Sequence, residues 1–188
     1  RQHEGSRGVL TTFSDTLAYA LQSKLNRLLT HEPRLAERVD VYSLEAIGLR
    51  LYKARIGQAK LATRSDIQAL MTDASKAVPG HKFSRHFLMS EWEQVVDAWQ
   101  LDHWEAFRDV VRLGRKTRLP EAQRAVLWEI FKKVIAALKN KGMMTSAGVF
   151  SALEAVVGKK ATPIFDFAVI DEAQDIGIPH LKFLAALG

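Results

Sequence analysis

The stretch from Phe165 to Asp175 reads FDFAVIDEAQD, and it is the most informative part of the sequence about the fold. Its first part, up to Ile170, is nearly continuous in apolar residues, as in a parallel strand that is buried on both faces of a sheet. Its second part, from Asp171 onward, is an acidic cluster that follows the strand at once. Because ligands of open parallel sheets lie beyond the carboxyl ends of the strands, the pattern predicts a functional site where this strand ends.

Asp171 and Glu172 are the chemically important pair in this stretch. Carboxylates at a strand end are suited to a hard cation such as Mg²⁺. In P-loop nucleotide hydrolases the strand-end Asp holds Mg²⁺, and a neighbouring carboxylate can position the attacking water. For an isolated Asp-Glu pair, an acidic turn without any ligand is the simpler interpretation. The complete string, with its apolar run and acidic cluster, favours the site.

Two further strand-and-helix pairs stand near the start of the chain. Val9 to Phe13 is β-branched and aromatic and predicts a strand, and Ser14 then offers an N-cap to a helix with leucines at helical spacing. Val39 to Tyr42 predicts a second strand, after which Ser43 caps another helix. Strands and helices alternate in this way around a parallel sheet, so we expect an α/β fold.

The segment from about Lys53 to Lys160 is different because it has almost no strand signal. Ser65 and Ser90 each begin a capping-box pattern, and Pro120 fits the first turn of a long helix. A further helix is expected over residues 146–157. We therefore predict a helical subdomain at 53–160 that interrupts a sheet domain made of residues 1–52 and 161–188. One face of a helix in this subdomain is expected to be core and not a base-stacking surface: Trp92, Val95, Val96 and Trp99.

The composition limits the chemistry that the chain can perform. The 188 residues suit one domain, or one domain with an insertion. The chain has no Cys, which excludes disulfides, thiolate metal sites and Cys nucleophiles, and the histidines lack zinc-binding spacing. No apolar run approaches the ~18 residues of a membrane span. We therefore expect no membrane partner and a cytoplasmic location.

The net charge of +6 comes from one segment. Between Arg108 and Lys141 there are ten Lys/Arg and three Asp/Glu, a surplus of +7, whereas the rest of the chain carries 17 basic and 18 acidic residues. Clustered Arg and Lys attract phosphates through counterion release, so this segment can be a nucleic-acid face. A solvated helix surface is the alternative that charge alone leaves open.

Taken in order, these segments resemble the motifs of superfamily 1A DNA helicases of the UvrD/Rep/PcrA type. Phe167 to Asp175, FAVIDEAQD, resembles motif II, which carries Walker B. Val9 to Asp15, VLTTFSD, resembles motif Ia, where the family has Thr-Phe-Thr-Asn after an apolar strand. Val41 to Ile47, VYSLEAI, resembles motif Ib, with Glu45 in place of the usual His. The stretch from Glu91 to Leu138 resembles helical subdomain 1B and contains an Arg-x-x-Gly-Arg element.

The resemblance implies an α/β fold in which a partial RecA-like parallel sheet domain, 1A, is interrupted by the all-helical insertion 1B. It also implies an ATP-dependent DNA helicase or translocase that moves on single-stranded or partly duplex DNA. ATP and Mg²⁺ would be the cofactors of the full-length protein.

The resemblance assigns roles to single residues. Asp171 would coordinate the Mg²⁺ of Mg-ATP, and Glu172 would act as general base toward the attacking water. Gln174 and Asp175 would couple nucleotide state to DNA binding. Contacts to DNA are expected from two groups of residues: Thr12, Phe13 and Ser43 in the sheet domain, and Arg112, Arg115 and Lys116 in the insertion. Phe13 has strand core as its alternative, and the carboxylate of Glu45 would repel phosphate.

One essential part of such a motor does not occur in the sequence. No Gly-x-x-x-x-Gly-Lys-Ser/Thr stretch is present, and in the family this P-loop lies upstream of motif Ia. Arg1 and Gly188 both look like cut ends, so we expect a fragment that does not hydrolyse ATP alone. The alternative is a helicase-like module that binds DNA or a partner and has no ATPase activity.

Overall fold

The structure is a computed structural model that describes residues 6–111, 119–157, 165–171 and 176–187. The chain is a mixed α/β protein with two compact units. The first, called the sheet unit, consists of Arg1–Gln58 and Val149–Gly188. The second, called the helical unit, is Ala59–Gly148, so its bounds fall inside the expected 53–160. None of the described helices is both long and apolar enough to cross a bilayer.

Three parallel strands form the sheet of the sheet unit. Numbered in chain order, they are β1 (Gly8–Thr12), β2 (Val39–Ser43) and β5 (Phe167–Ile170), and they lie in the order β2-β1-β5. All three strands were predicted, with ends that differ by one or two residues. Their alternation with helices confirms the α/β class, since parallel neighbours need a crossover connection between them.

Helices surround these strands in the sequence: α1 (Asp15–Leu28), α2 (Pro33–Ala36), α3 (Leu44–Arg55) and α9 (Ile178–Leu187). Helix α8 (Ser146–Val157) has the predicted bounds. The centre of the sheet unit is a set of fully buried side chains: Val9, Ile47, Phe150, Leu153 and Phe183. Gly48, in α3, is buried directly beneath the Phe150 ring, and a Cβ at this position would overlap that ring.

The prediction that β5 is buried on both faces is wrong. Phe167 and Val169 are each 59% exposed. They share a face with Gly8 and Leu10, their register partners on β1, and this face borders an open cavity of about 970 Å³. The apolar, β-branched sequence correctly predicts a strand. Burial on both faces needs a covering element as well, and the described part of the chain does not supply one over this face.

The helical unit contains four α-helices among its described residues: α4 (Arg64–Lys76), α5 (Arg85–Glu91), α6 (Trp104–Asp109) and α7 (Glu121–Asn140). They pack around buried side chains that include Phe107, Leu127, Ile130 and Phe131. The unit is not entirely helical as expected, because β3 (Lys60–Leu61) and β4 (Met143–Met144) form a short parallel pair.

The two predicted capping boxes are wrong in position. Helix α4 begins earlier, with a capping box between Thr63 and Asp66. Helix α5 is capped by Ser84, whose hydroxyl accepts from the Phe87 N–H, so Ser90 lies inside the helix. Each observed cap is itself a favoured N-cap residue that stands one or more turns before the apolar positions. Sequence spacing alone did not separate these competing caps.

Trp99 is the second departure from the predicted core. Trp92, Val95 and Val96 are buried as expected, but Trp99 is 50% exposed. The segment Trp92–Val96 is a π-helical turn, in which the Asp97 N–H donates to the Trp92 carbonyl. An i→i+5 bond adds a residue to the turn, so the helical spacing that groups Trp99 with the others no longer applies.

Gly48→Ala should lower the free energy of unfolding by about 1–3 kcal/mol, because the added methyl meets the Phe150 ring. Alanine is the better helix former by about 1 kcal/mol, so an unhindered site would show the opposite sign. Urea unfolding of the variant measures the effect. The double variant Gly48→Ala/Phe150→Leu is the control, and the penalty of Gly48→Ala should shrink when it is measured against Phe150→Leu alone. A Gly48→Ala protein as stable as the parent would contradict the packing argument.

Candidate functional site at the carboxyl edge of the parallel sheet

Parallel pairing brings the ends of the three strands to one edge of the sheet. Thr12 is the register partner of Ser43, and Thr11 is the partner of Ile170. Asp171 follows Ile170 directly, and its backbone N–H donates to the Thr11 carbonyl oxygen at 2.9 Å. Three predicted site residues therefore end adjacent strands, and Phe13 follows Thr12 at the same edge.

Two helices begin at this edge. Ser14 caps α1 by accepting from the Leu17 N–H at 3.2 Å, and Ser43 caps α3 by accepting from the Ala46 N–H at 3.2 Å. The first turn of a helix leaves N–H groups without intrahelical partners, and it carries the positive end of the helix dipole. Ser43 is the last residue of β2 and Ser14 lies two residues after β1, and the sequence correctly predicts both as N-caps.

Ser43 also joins the two strand-to-helix turns. Its hydroxyl donates to the Asp15 carboxylate, across 28 positions of the chain. A hydroxyl has one proton and two lone pairs, so the bonds to Asp15 and Ala46 use the proton and one lone pair. Ser43 is buried, and these contacts give it a structural task at the edge. Its expected contact with DNA is untested and stays a prediction.

Thr12 differs from its neighbours because its hydroxyl has no partner among the described residues. The residue is 1% exposed, and its Oγ1 has no hydrogen-bond partner among the residues the structure describes. Thr11, the adjacent buried Thr, donates to the Val169 carbonyl oxygen at 3.5 Å. A buried polar group without a partner costs about 1–3 kcal/mol, so the Thr12 hydroxyl is a candidate ligand contact.

Phe13 lies outside the core. Its side chain is 45% exposed, because β1 ends at Thr12 and Phe13 begins the connection to α1. The alternative that Phe13 is strand core is therefore wrong. An exposed aromatic ring at the end of a strand can stack on a base.

The exposed carboxylates at the edge set its electrostatics. Asp171 stands at the end of β5, and Asp15 and Glu45 lie in the first turns of α1 and α3. Within the described ranges no group of three or more His, Cys, Asp or Glu could hold a metal ion. Mg²⁺ usually takes one or two carboxylates and completes its shell with water and substrate phosphates. Asp171 fits that role, because one strand-end carboxylate is sufficient for it.

Six of the expected site residues lie outside the described residues. They are Glu172, Gln174 and Asp175 after β5, and Arg112, Arg115 and Lys116 in the basic segment. Asp15 is the residue of this edge that sequence reasoning missed as a contact. No local signal could have revealed its bond to Ser43, because that bond joins segments far apart in the chain.

His180 is the histidine with the most distinctive surroundings in the sheet unit. Its ring centroid lies 4.1 Å from that of Phe150, and its Nδ1 is buried without a partner in the described part of the chain. Burial lowers the pKa of His180 below the ordinary value, because the charged imidazolium loses hydration there. The ring is packed against Phe150 in the sheet unit.

Comparison with protein-family models and with curated proteins finds no match for this chain. Its assignment therefore depends on its own residues and geometry.

Thr12→Val should raise the free energy of unfolding by about 1 kcal/mol, because it replaces an unsatisfied buried hydroxyl with a methyl group of the same shape. Thr11→Val is the matched control. It removes a hydroxyl that does donate, so it should leave stability unchanged or lower it. Chemical unfolding of both variants measures the difference. Equal effects of the two substitutions would show that the Thr12 hydroxyl is satisfied in solution.

Acid should weaken the sheet unit through His180. With a folded-state pKa below the unfolded value, the unfolded chain binds the proton more tightly, so stability falls as pH drops below about 6.5. His180→Gln should flatten this dependence in unfolding measurements between about pH 7.5 and pH 5.5. His86→Gln, which removes an exposed histidine, is the control and should retain the parental slope. Identical slopes in the two variants would contradict the burial argument.

Proposed function

We propose that this chain is part of an ATP-dependent DNA helicase or translocase of superfamily 1A. It would comprise part of a RecA-like domain 1A, interrupted by a helical subdomain 1B. The observation that carries the proposal is the common edge: the segments that resemble motifs Ia, Ib and II end on three adjacent parallel strands. Similarity in sequence alone would not require these three segments to meet.

The edge offers contacts suited to single-stranded DNA. The Thr12 hydroxyl, which lacks a partner among the described residues, would donate to a phosphate oxygen, and the exposed Phe13 ring would stack on a base. Backbone N–H groups at the start of α1 are further donors for phosphate. The carboxylates of Asp15 and Glu45 oppose a polyanion here, so positive charge must come from elsewhere. The basic residues Arg112, Arg115 and Lys116 are proposed for that task.

We propose that the nucleotide binds at the end of β5, beside Asp171. A bound Mg²⁺ would supply neutralisation of the phosphate charge during hydrolysis. Asp171 would hold the ion, Glu172 would accept the proton of the attacking water, and Gln174 and Asp175 would respond to the nucleotide. The Asp171 N–H donates to Thr11, which precedes Thr12. A change at the end of β5 is thus one hydrogen bond away from the strand that would contact DNA.

The runner-up is a helicase-like module that binds DNA or a protein partner without ATPase activity. The 188 residues contain no P-loop pattern to cradle nucleotide phosphates, and both candidates are compatible with this because the family has that pattern upstream of motif Ia. Both candidates share DNA binding, and they differ in hydrolysis.

DNA binding by the chain tests what the two candidates share. A fluorescent oligodeoxythymidylate should bind with an affinity that falls as salt rises. Thr12→Val should weaken binding about tenfold, the cost of one hydrogen bond to a charged phosphate, whereas Thr11→Val should leave it unchanged. Replacing Arg112, Arg115 and Lys116 together by Ala should reduce the slope of log affinity against log salt by about 2. Absence of DNA binding, or equal loss in both Thr variants, would contradict the proposal.

A measurement of ATP hydrolysis distinguishes the proposed helicase from the alternative module without ATPase activity. We expect no ATPase activity above background from the 188 residues, because the phosphates have no P-loop. In a parent protein with a P-loop, Glu172→Gln should abolish DNA-stimulated hydrolysis and leave DNA binding intact. A parent that binds DNA but never hydrolyses ATP would support the module instead.

A further inference from the structure

The helical unit contains a groove that the proposed function does not use. One wall is the segment Gly80–Phe87, and the other is the start of α7 with the residue before it, lined by Leu119, Ala122, Gln123 and Val126. The cavity measures about 730 Å³. That is within the ~300–1,000 Å³ of pockets that hold small organic ligands.

The first wall is a ladder of three aromatic rings. The centroids of His81 and Phe83 are 5.3 Å apart with 22° between the ring planes, and those of Phe83 and Phe87 are 5.5 Å apart with 26°. All three side chains are half-buried, so they present part of their surface to the groove. Offset stacking of this kind can be continued by another flat π-system.

The ladder is held in place by hydrogen bonds. The Phe83 N–H donates to Nδ1 of His81 at 3.2 Å, so the proton of the neutral ring is on Nε2. That nitrogen lies 3.3 Å from the Ser75 carbonyl oxygen, to which it donates, and 3.0 Å from the Ser75 hydroxyl. Gly80, with φ +87°, makes the turn that leads into the ladder. A preformed wall lowers the ordering cost of binding.

Basic side chains alternate with the rings. Lys82, Arg85 and His86 are exposed, and Gly80–Phe87 contains no acidic residue. Of these three, Lys82 lines the groove, whereas the guanidinium of Arg85 donates to the Gln68 side chain of α4 at 3.1 Å. The acidic Glu121 begins α7 and does not line the groove. Aromatic rings beside an exposed lysine suit a ligand with a flat π-face and a neighbouring negative charge.

We propose that this groove takes one unpaired base of a single-stranded nucleic acid. The base stacks against the aromatic ladder, Lys82 meets a flanking phosphate, and the amide of Gln123 contacts the base edge. An apolar peptide segment would use the rings but would leave Lys82 and Gln123 without a role. The inference rests on the proposed DNA binding and adds a base contact in the helical unit.

The test uses oligodeoxythymidylate with one 2-aminopurine, whose fluorescence is quenched when the base stacks, moved through successive positions. The chain should quench it at one position or a few. Phe83→Leu keeps the bulk but breaks the ladder, and it should remove this quenching and weaken binding about tenfold, the usual contribution of one stacked base. Replacing the 2-aminopurine by an abasic spacer should cost the parent the same factor and cost the variant nothing.

Substitutions of exposed residues test the proposal without disturbing the fold. Lys82→Ala and Gln123→Ala should each lower affinity a few-fold, whereas Lys76→Ala, an exposed lysine of α4 outside the groove, should lower it less than Lys82→Ala. If Phe83→Leu does not fold, these variants decide. DNA binding with quenching that none of the groove variants alters overturns the base pocket and leaves the proposed function standing. Failure of the parent to bind any oligonucleotide overturns both.

Discussion

Pairing of β1 with a parallel strand on each side is the constraint on which the candidate site depends. Parallel register fixes which residues end together, and here it aligns Thr12 with Ser43 and Thr11 with Ile170. The backbone bond from Asp171 to Thr11 extends that alignment beyond the end of β5. A slip of one residue would turn every side chain of a strand to the other face. The chemistry of the edge is therefore a consequence of register.

Local patterns predicted many of the elements, and long-range packing decided what the elements bury. The β-branched runs predicted the three strands of the sheet unit, and the helix at residues 146–157 was also expected. The exposure of Phe167 and Val169 could not be predicted, because it depends on what covers one face of the sheet. Trp99 was predicted to be core but is exposed, for a different reason. The π-helical turn before it changes the helical spacing of the side chains, and such a turn has no clear signature in sequence.

The candidate site, too, could be predicted only in part from the sequence. Its residue types and their positions at strand ends could be predicted, because strand, turn and cap are local. That the Thr12 hydroxyl has no partner in the described part of the chain could not be predicted, since Thr11 beside it has the same side chain and does have a partner. The bond from Ser43 to Asp15 was equally hidden. It changes the meaning of Ser43, because a hydroxyl that holds two turns together has less capacity left for a ligand.

The two units differ in how they could hold a nucleic acid. The edge of the sheet unit has a donor and an exposed ring, but its carboxylates repel a polyanion, so a contact there is weak unless something offsets that charge. The groove of the helical unit combines rings with the exposed Lys82, and the basic surplus of 108–141 lies within the same unit. In the proposed motor the helical unit would supply most of the affinity for DNA, and the edge would bind DNA weakly. A weak contact at the edge would be the easier one for a bound nucleotide to switch, because a smaller free-energy change is enough to shift its population.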